Sequence, residues 1–214
     1  MARNYYRILF GDTARAMQAR FGSRDHYARA EEAEGVDPLT EKELGFIAAR
    51  DSFYMASVTA DGWPYVQHRG GPPGFLRPLG GNRLGFADYR GNKQYVSAGN
   101  LADNARVALF LMDYPARRRL KLIGTATSIE CDDDPALVTA LMPDGYKAAP
   151  ERAFVIDVAG LDWNCSQHIT PRFTEVDMMA AIRPMAAELN QLRARLGVEP
   201  PRAPDPASTP RSGE

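Results

Sequence analysis

Apolar and polar residues alternate along several short stretches of this chain, and turn residues separate the stretches. Ser52–Thr59, Pro64–Arg69, Phe75–Leu79, the run from Arg83, Leu120–Ile129 and Arg152–Val158 read as strands. Leu84 and Phe86 alternate with Gly85 and Ala87, and Phe154 and Ile156 with Val155 and Asp157. Arg106–Met112 is almost continuously apolar, the pattern of a buried strand. Asp61-Gly62 and Gly80-Gly81-Asn82 are hairpin signals, and Gly70–Gly74 is a sharp break. Hairpin-linked strands without a repeating strand–helix alternation predict a mainly β fold. Six or seven antiparallel strands would close, or nearly close, a barrel, with helices inserted or appended.

Helical signals lie at the ends and in the middle. Within residues 1–35, Asp12 or Thr13 begins a helix to Arg20, and Ser23 begins another to Glu34. These carry little apolar surface and are expected to lie as an arm over the main domain or over a partner subunit. Thr40 and Glu43 form a capping box for a helix to about Arg50, and Asp134-Pro135 opens one to about Met142. Gly91 breaks the chain after the strand at Arg83, and Asn92, Lys93 and Gln94 are expected to open the next helix. A helix start offers unpaired N–H groups to an anion; the alternative is that Arg90 and Lys93 are ordinary solvated charges. From Glu175 to Leu196, Met178, Ile182, Met185, Leu189, Leu192 and Leu196 form a heptad seam, with Pro184 predicting a kink or a restart. That seam either pairs two chains or packs on its own barrel. Pro200–Glu214 reads as a disordered tail.

Composition narrows this little. With 44% hydrophobic residues, 25% charged and a net charge of −1, nothing global points to nucleic acid or a membrane surface. Between Asp61 and Lys121, however, ten basic residues face four acidic ones, which favours an anionic small molecule. Met1–Phe10 lacks the apolar core of a signal peptide, and no apolar run nears the roughly 18 residues of a membrane helix. Cys131 and Cys165 have no metal-ligand spacing, so a reduced, cytoplasmic protein is expected.

Several motifs, in order, resemble one family. They are Phe-Tyr-Met-Ala-Ser-Val from Phe53, the run Asp61–Gly71, Phe-Ala-Asp-Tyr-Arg-Gly-Asn-Lys from Phe86, Asn-Leu-Ala-Asp-Asn from Asn100 and Arg-Arg-Leu-Lys-Leu-Ile-Gly from Arg118. With Asp-Trp-Asn-Cys-Ser-Gln-His-Ile-Thr-Pro-Arg-Phe from Asp162, they resemble the pyridoxamine 5′-phosphate oxidase-like split barrels that bind FMN. The resemblance implies an antiparallel split β-barrel of about six strands with peripheral helices, paired as a homodimer with FMN in clefts along the interface. It implies that Gln67, His68 and Arg69 meet the flavin, and that Tyr89, Arg90, Asn92 and Lys93 form the phosphate turn, with Asn92 where the family often has Arg. It further implies Arg119 near the ring, and Trp163, His168 and Arg172 closing the site from the neighbouring subunit. Gln67 and Pro72 stand where the true oxidase carries Arg and Lys. The chain also lacks that enzyme's substrate-phosphate clamp around Asp134–Arg152, and its Arg-x-His pair becomes His168 and Thr170. These departures separate it from oxidation of pyridoxamine phosphate.

The expected organisation is an arm over residues 1–38, an FMN-binding barrel over 39–173, a helix over 174–197 and a tail over 198–214. Each candidate also has a plain structural role: His68 and His168 as hydrogen-bonding residues, Trp163 as a core corner. Cys165 has no activating base besides His168, and the two make no metal site. The expected function is an FMN-dependent oxidoreductase passing hydride from a small-molecule donor to an acceptor. Its rivals are a flavin carrier or sensor without turnover, and the same barrel holding a deazaflavin or haem.

Overall fold

Four helices precede the first strand of the computed structural model, which describes residues 4–32, 35, 37–163 and 167–199. They are α1 (Asn4–Leu9), α2 (Asp12–Arg20), α3 (Arg24–Glu31) and α4 (Glu41–Ala48). Strands β1 (Ser52–Val58), β2 (Pro64–Gly70), β3 (Arg77–Pro78) and β4 (Arg83–Tyr89) follow, then α5 (Val96–Asp103). The hairpin β5 (Arg106–Asp113) and β6 (Arg118–Glu130), helix α6 (Pro135–Leu141), strand β7 (Pro150–Trp163) and helix α7 (Glu175–Leu196) complete the order. The described residues up to Thr170 and those from Pro171 onward form separate compact units. Cys165, Glu34 and the tail Pro200–Glu214 lie outside the described residues.

All seven strands join one sheet in the order β2-β1-β5-β6-β7-β4-β3, and every pair is antiparallel. Laid flat, β1 and β4 would sit four strand spacings apart, about 19 Å. Instead the Phe53 ring of β1 meets Phe86 of β4 edge-on at 5.3 Å between centroids. The sheet is therefore rolled into a split barrel around its apolar face. Phe75 stacks on Phe53 at 5.5 Å and Phe154 on Phe86 at 5.2 Å, and all four rings are buried. Alternation dictates this core: Phe53 and Met55, Leu84 and Phe86, Leu109 and Leu111, Leu120 and Leu122, and Phe154 and Ile156 each share one face of a strand. On the other face of β4 and β7, Ala87 and Ala153 form a second, smaller cluster with Val138 and Leu141 of α6.

Tertiary pairing moved several boundaries. β7 runs five residues beyond the expected Val158, because β6 continues to pair with it as far as Leu120 opposite Trp163. The small residues Ala159 and Gly160 had broken the alternation there. At Gly124 the ladder shifts register, and a Cβ would lie 2.1 Å from the Asp157 carbonyl oxygen, so only glycine fits that bulge. Phe75–Leu79 is not a full strand: Phe75 and Leu76 turn into the core, and only Arg77–Pro78 pairs with β4. Nor does a helix open at Asn92, since Lys93 and Tyr95 adopt left-handed backbone (φ 60° and 53°) and α5 begins at Val96. In α7, Pro184 sits inside a helix assigned without interruption from Glu175 to Leu196. No described helix is long and apolar enough to cross a membrane.

The N-terminal helix lies against β7 of its own chain. Buried Asp37 accepts N–H bonds from Asn4, Tyr5 and Leu161 at 3.2, 2.8 and 3.2 Å, while Asn4 Nδ2 donates to the Ala159 carbonyl. The Tyr6 hydroxyl donates to Asp162 at 3.0 Å, and Lys121 pairs with the same carboxylate at 2.7 Å. Burial, then the Asp162 bond, pushes the Tyr6 phenol well above its ordinary range. A Cβ at Gly160 would come within 2.7 Å of Tyr5 Cα. Gly160→Ala should accordingly lift α1, and trypsin should cut at Arg7 about tenfold faster, equivalent to ~1.4 kcal/mol of lost docking. Unchanged cleavage would show that α1 does not depend on this close approach.

Candidate functional site

Strand parity carries three charged side chains into one place at the end of the aromatic core. Asp88 follows Leu84 and Phe86 on the inward face of β4, and Arg152 precedes Phe154 and Ile156 on the inward face of β7. On β2, Gln67 and Arg69 share the less exposed side, whereas His68 points the other way and meets the Tyr54 ring at 5.7 Å. Arg69 Nη1 donates to Asp88 Oδ1 at 2.5 Å, joining β2 at one edge of the sheet to β4 beside the other. Its guanidinium lies 5.1 Å from the Phe154 ring centre and 5.7 Å from that of Phe86. Arg152 Nη1 approaches the second Asp88 oxygen at 3.8 Å, and its Nε donates to Glu130 at 3.0 Å. The same guanidinium covers the Tyr95 ring at 4.9 Å.

This cluster forms the wall of a small polar pocket. Its mouth is Gly91–Tyr95, and its far side is the start of α5 with Ser97 and Ala98. The first intrahelical bond of α5 runs from Gly99 N–H to the Tyr95 carbonyl, so the N–H groups of Val96, Ser97 and Ala98 precede it. No side chain caps this start, and its first turn holds no acidic residue. Ser97 Oγ instead donates to Gln67 Oε1 at 3.0 Å, fixing α5 to β2. Arg69 Nε is buried and has no acceptor. A helix start, an unsatisfied guanidinium N–H and the Lys93 ammonium at the mouth make a donor set suited to a phosphate.

Burial pushes Asp88 above the ordinary carboxyl value, more than the flanking Arg69 and Arg152 guanidiniums lower it. It pushes Arg69 down, with Asp88 acting in opposition. For Arg152, burial acts downward, but the Glu130 bond and the surrounding carboxylates leave it raised. Each direction reports charge held away from water.

The structure thus brings Gln67, Arg69, Tyr89, Asn92 and Lys93 around one pocket. Arg90 lies at its border, largely exposed, with Nε 3.4 Å from Glu151. The other candidates fall elsewhere in the chain. Arg119 on β6 lies 5.9 Å from the Phe110 ring, and His168 is exposed with left-handed backbone (φ 61°). Arg172 belongs to the second unit. Trp163 packs edge-on against Phe46 at 4.8 Å and donates Nε1–H to buried Glu43 at 2.7 Å, with Lys42 and Arg118 over its ring. Glu43 also closes the capping box on Thr40, and these bonds hold its carboxyl below the ordinary range against the opposing pull of burial.

Asp88, Arg152, Glu151, Tyr95 and Ser97 join the site without being among the residues that the resemblance implies. Two carried a visible signal: a carboxylate in phase with Leu84 and Phe86, and a guanidinium in phase with Phe154 and Ile156, are charges at buried positions. The regional excess of basic residues misled, because its members disperse. Arg77 donates to the Ala140 and Met142 carbonyls at the end of α6, and Lys121 pairs with Asp162.

The family model for pyridoxamine 5′-phosphate oxidase matches residues 39–162. The chain belongs to that family. Among solved structures, this family member is 16% identical to a variant of HupZ from Group A Streptococcus (59% of this chain, 99% of that one, TM-score 0.48). It is 11% identical to an FMN-binding protein from Syntrophomonas wolfei (70% and 97%, TM-score 0.47). A pyridoxamine 5′-phosphate oxidase-related, FMN binding protein from Nostoc punctiforme is 16% identical (53% and 73%, TM-score 0.39). No curated protein matches the chain. Among the described residues, no group of three or more His, Cys, Asp and Glu side chains is placed to hold a metal ion.

Because Asp88 is raised in the folded state, its contribution relative to a neutral residue is greatest below the ordinary value of 3.8 and is lost as pH rises through the raised value. The stability of the wild type relative to Asp88→Asn, from urea midpoints across that range, should therefore fall with rising pH. An advantage that grows with pH would mean that the two arginines outweigh burial.

Proposed function

We propose that the pocket between β2, β4 and the start of α5 holds the phosphate of FMN, and that the protein is an FMN-dependent oxidoreductase. The observation that carries this reading is the buried, acceptor-less Nε of Arg69 beside the uncapped start of α5. Lys93 stands at the mouth as an exposed cation, while Asp88, itself approached by Arg152, holds the Arg69 guanidinium beside the aromatic core. Gln67, tied to Ser97, takes the neighbouring position along β2. A bound flavin would supply hydride and electron transfer between a small-molecule donor and an acceptor; the chain would supply binding, orientation and exclusion of water.

The reading includes a homodimer in a cytoplasmic setting, with Trp163, His168 and Arg172 contributed across the interface. Support for pairing comes from the outward side of the sheet, where Tyr54 and Val66 are exposed beside an apolar recess lined by Ala56, Ala108 and Phe110. Arg119 sits beside Phe110 on that side. The bond from Trp163 to Glu43 fixes the indole against Phe46, at the edge of the core rather than in that recess.

A second reading, a flavin carrier or sensor without turnover, shares the same phosphate pocket and differs only in chemistry at the flavin ring. Reduction by nicotinamides no faster than that of free FMN would select it.

Titration of the purified protein with FMN, followed by flavin fluorescence, tests both readings together. Lys93→Ala should weaken binding about tenfold, ~1.4 kcal/mol, the scale of one charge-assisted hydrogen bond. Arg106→Ala, exposed at the start of β5, should leave affinity unchanged. Absence of any spectral change with FMN would overturn the proposal.

A further inference from the structure

Helix α7 presents an apolar seam that it does not cover itself. It has 22 residues, and none of them is buried. A Thr174–Asp177 capping box starts it, and left-handed Gly197 (φ 66°) ends it. Met178, Ile182, Met185, Leu189, Leu192 and Leu196 are between 45% and 76% exposed. In heptad terms Ile182, Leu189 and Leu196 occupy a, and Met178, Met185 and Leu192 occupy d. Ile182, Met185, Ala186, Leu189 and Leu192 outline a shallow apolar recess with Glu188 at its rim, the form of a hole awaiting a knob. Pro184 falls at c, outside the seam.

The flanking residues select the occupant. In a parallel pair, position g of one helix faces position e of the following heptad on the other. Here that sets Glu188 against Arg193 of a second copy, twice by symmetry, and places the small Ala181 against Ala186. Aligning the seam antiparallel on itself would set g against g and oppose Glu188 to its own copy. We infer that α7 pairs in parallel, in register, with α7 of a second copy of this chain. Spanning fewer than three heptads, the seam is too short to pair as an isolated peptide; tethering to folded domains raises its effective concentration.

Single cysteines in the full chain test this, in a Cys131→Ser, Cys165→Ser background. In the parallel pair, Leu192→Cys meets itself across the seam, whereas Ala194→Cys at f points away. Under mild oxidation, Leu192→Cys should form a covalent dimer about tenfold faster than Ala194→Cys. Adding Glu188→Arg should slow that cross-link about threefold to fivefold, and Arg193→Glu in the same chain should restore it. Equal rates at both positions overturn the inference. So does the absence of a Leu192→Cys cross-link, the outcome if the chain's own barrel or an antiparallel copy covers the seam. The readout does not involve flavin, so it stands or falls separately from the cofactor assignment.

Discussion

One largely buried ion pair joins the two ends of the rolled sheet. Arg69 reaches from edge strand β2 to Asp88 on β4, over the Phe86 and Phe154 rings. A pair removed from water gives modest net stability, since desolvation offsets most of its attraction. Its geometric effect is larger. The 2.5 Å bond spans from one edge strand to the strand beside the other, so it ties the two edges in register. Arg152 extends the set to β7 and Glu130, giving Asp88 two guanidiniums on which to divide its oxygens.

The position of this pair makes a site as well as a closure. Aromatic rings fill the barrel behind it, and the left-handed residues Lys93 and Tyr95 turn the chain so that α5 begins beside it. Ser97 and Asn100 then anchor α5 to Gln67 on β2 and Ser57 on β1. Ser97 and Ala98 at the start of α5 line the same pocket as Arg69. The charge is nearly balanced within the cluster, because Asp88, Glu130 and Glu151 accompany the arginines. The pocket's candidate donors are therefore Arg69 Nε, Lys93 and the helix start rather than a general excess of cations.

Peripheral elements attach by the same logic of satisfying buried polar groups. Asp37 gathers three backbone N–H groups from α1 and β7, and Asn82 bridges Leu39, the Asp37 carbonyl and Val158. Glu43 serves the α4 cap and Trp163 at once. Each is a single side chain linking segments that are distant in sequence, which is why the short N-terminal helices, poor in apolar surface, are held in place.

Local spacing alone determined most of the strands, their hairpins at Asp61-Gly62 and Gly80-Gly81-Asn82, the capping box at Thr40, and the span of α7. These depend on neighbours a few residues apart, and local spacing records them. The family was legible from ordered motifs, and part of the pocket (Gln67, Arg69, Tyr89, Asn92, Lys93) came with it. What required the fold was the partnership of those residues: Asp88 and Arg152 beside Arg69, His68 turned to the opposite face, and α5 beginning at Val96. The length of β7 and the glycine bulge at Gly124 likewise follow from pairing with another strand. Such features arise where segments tens of residues apart meet and burial compels charges to find partners, and a linear pattern carries no record of which partners those are.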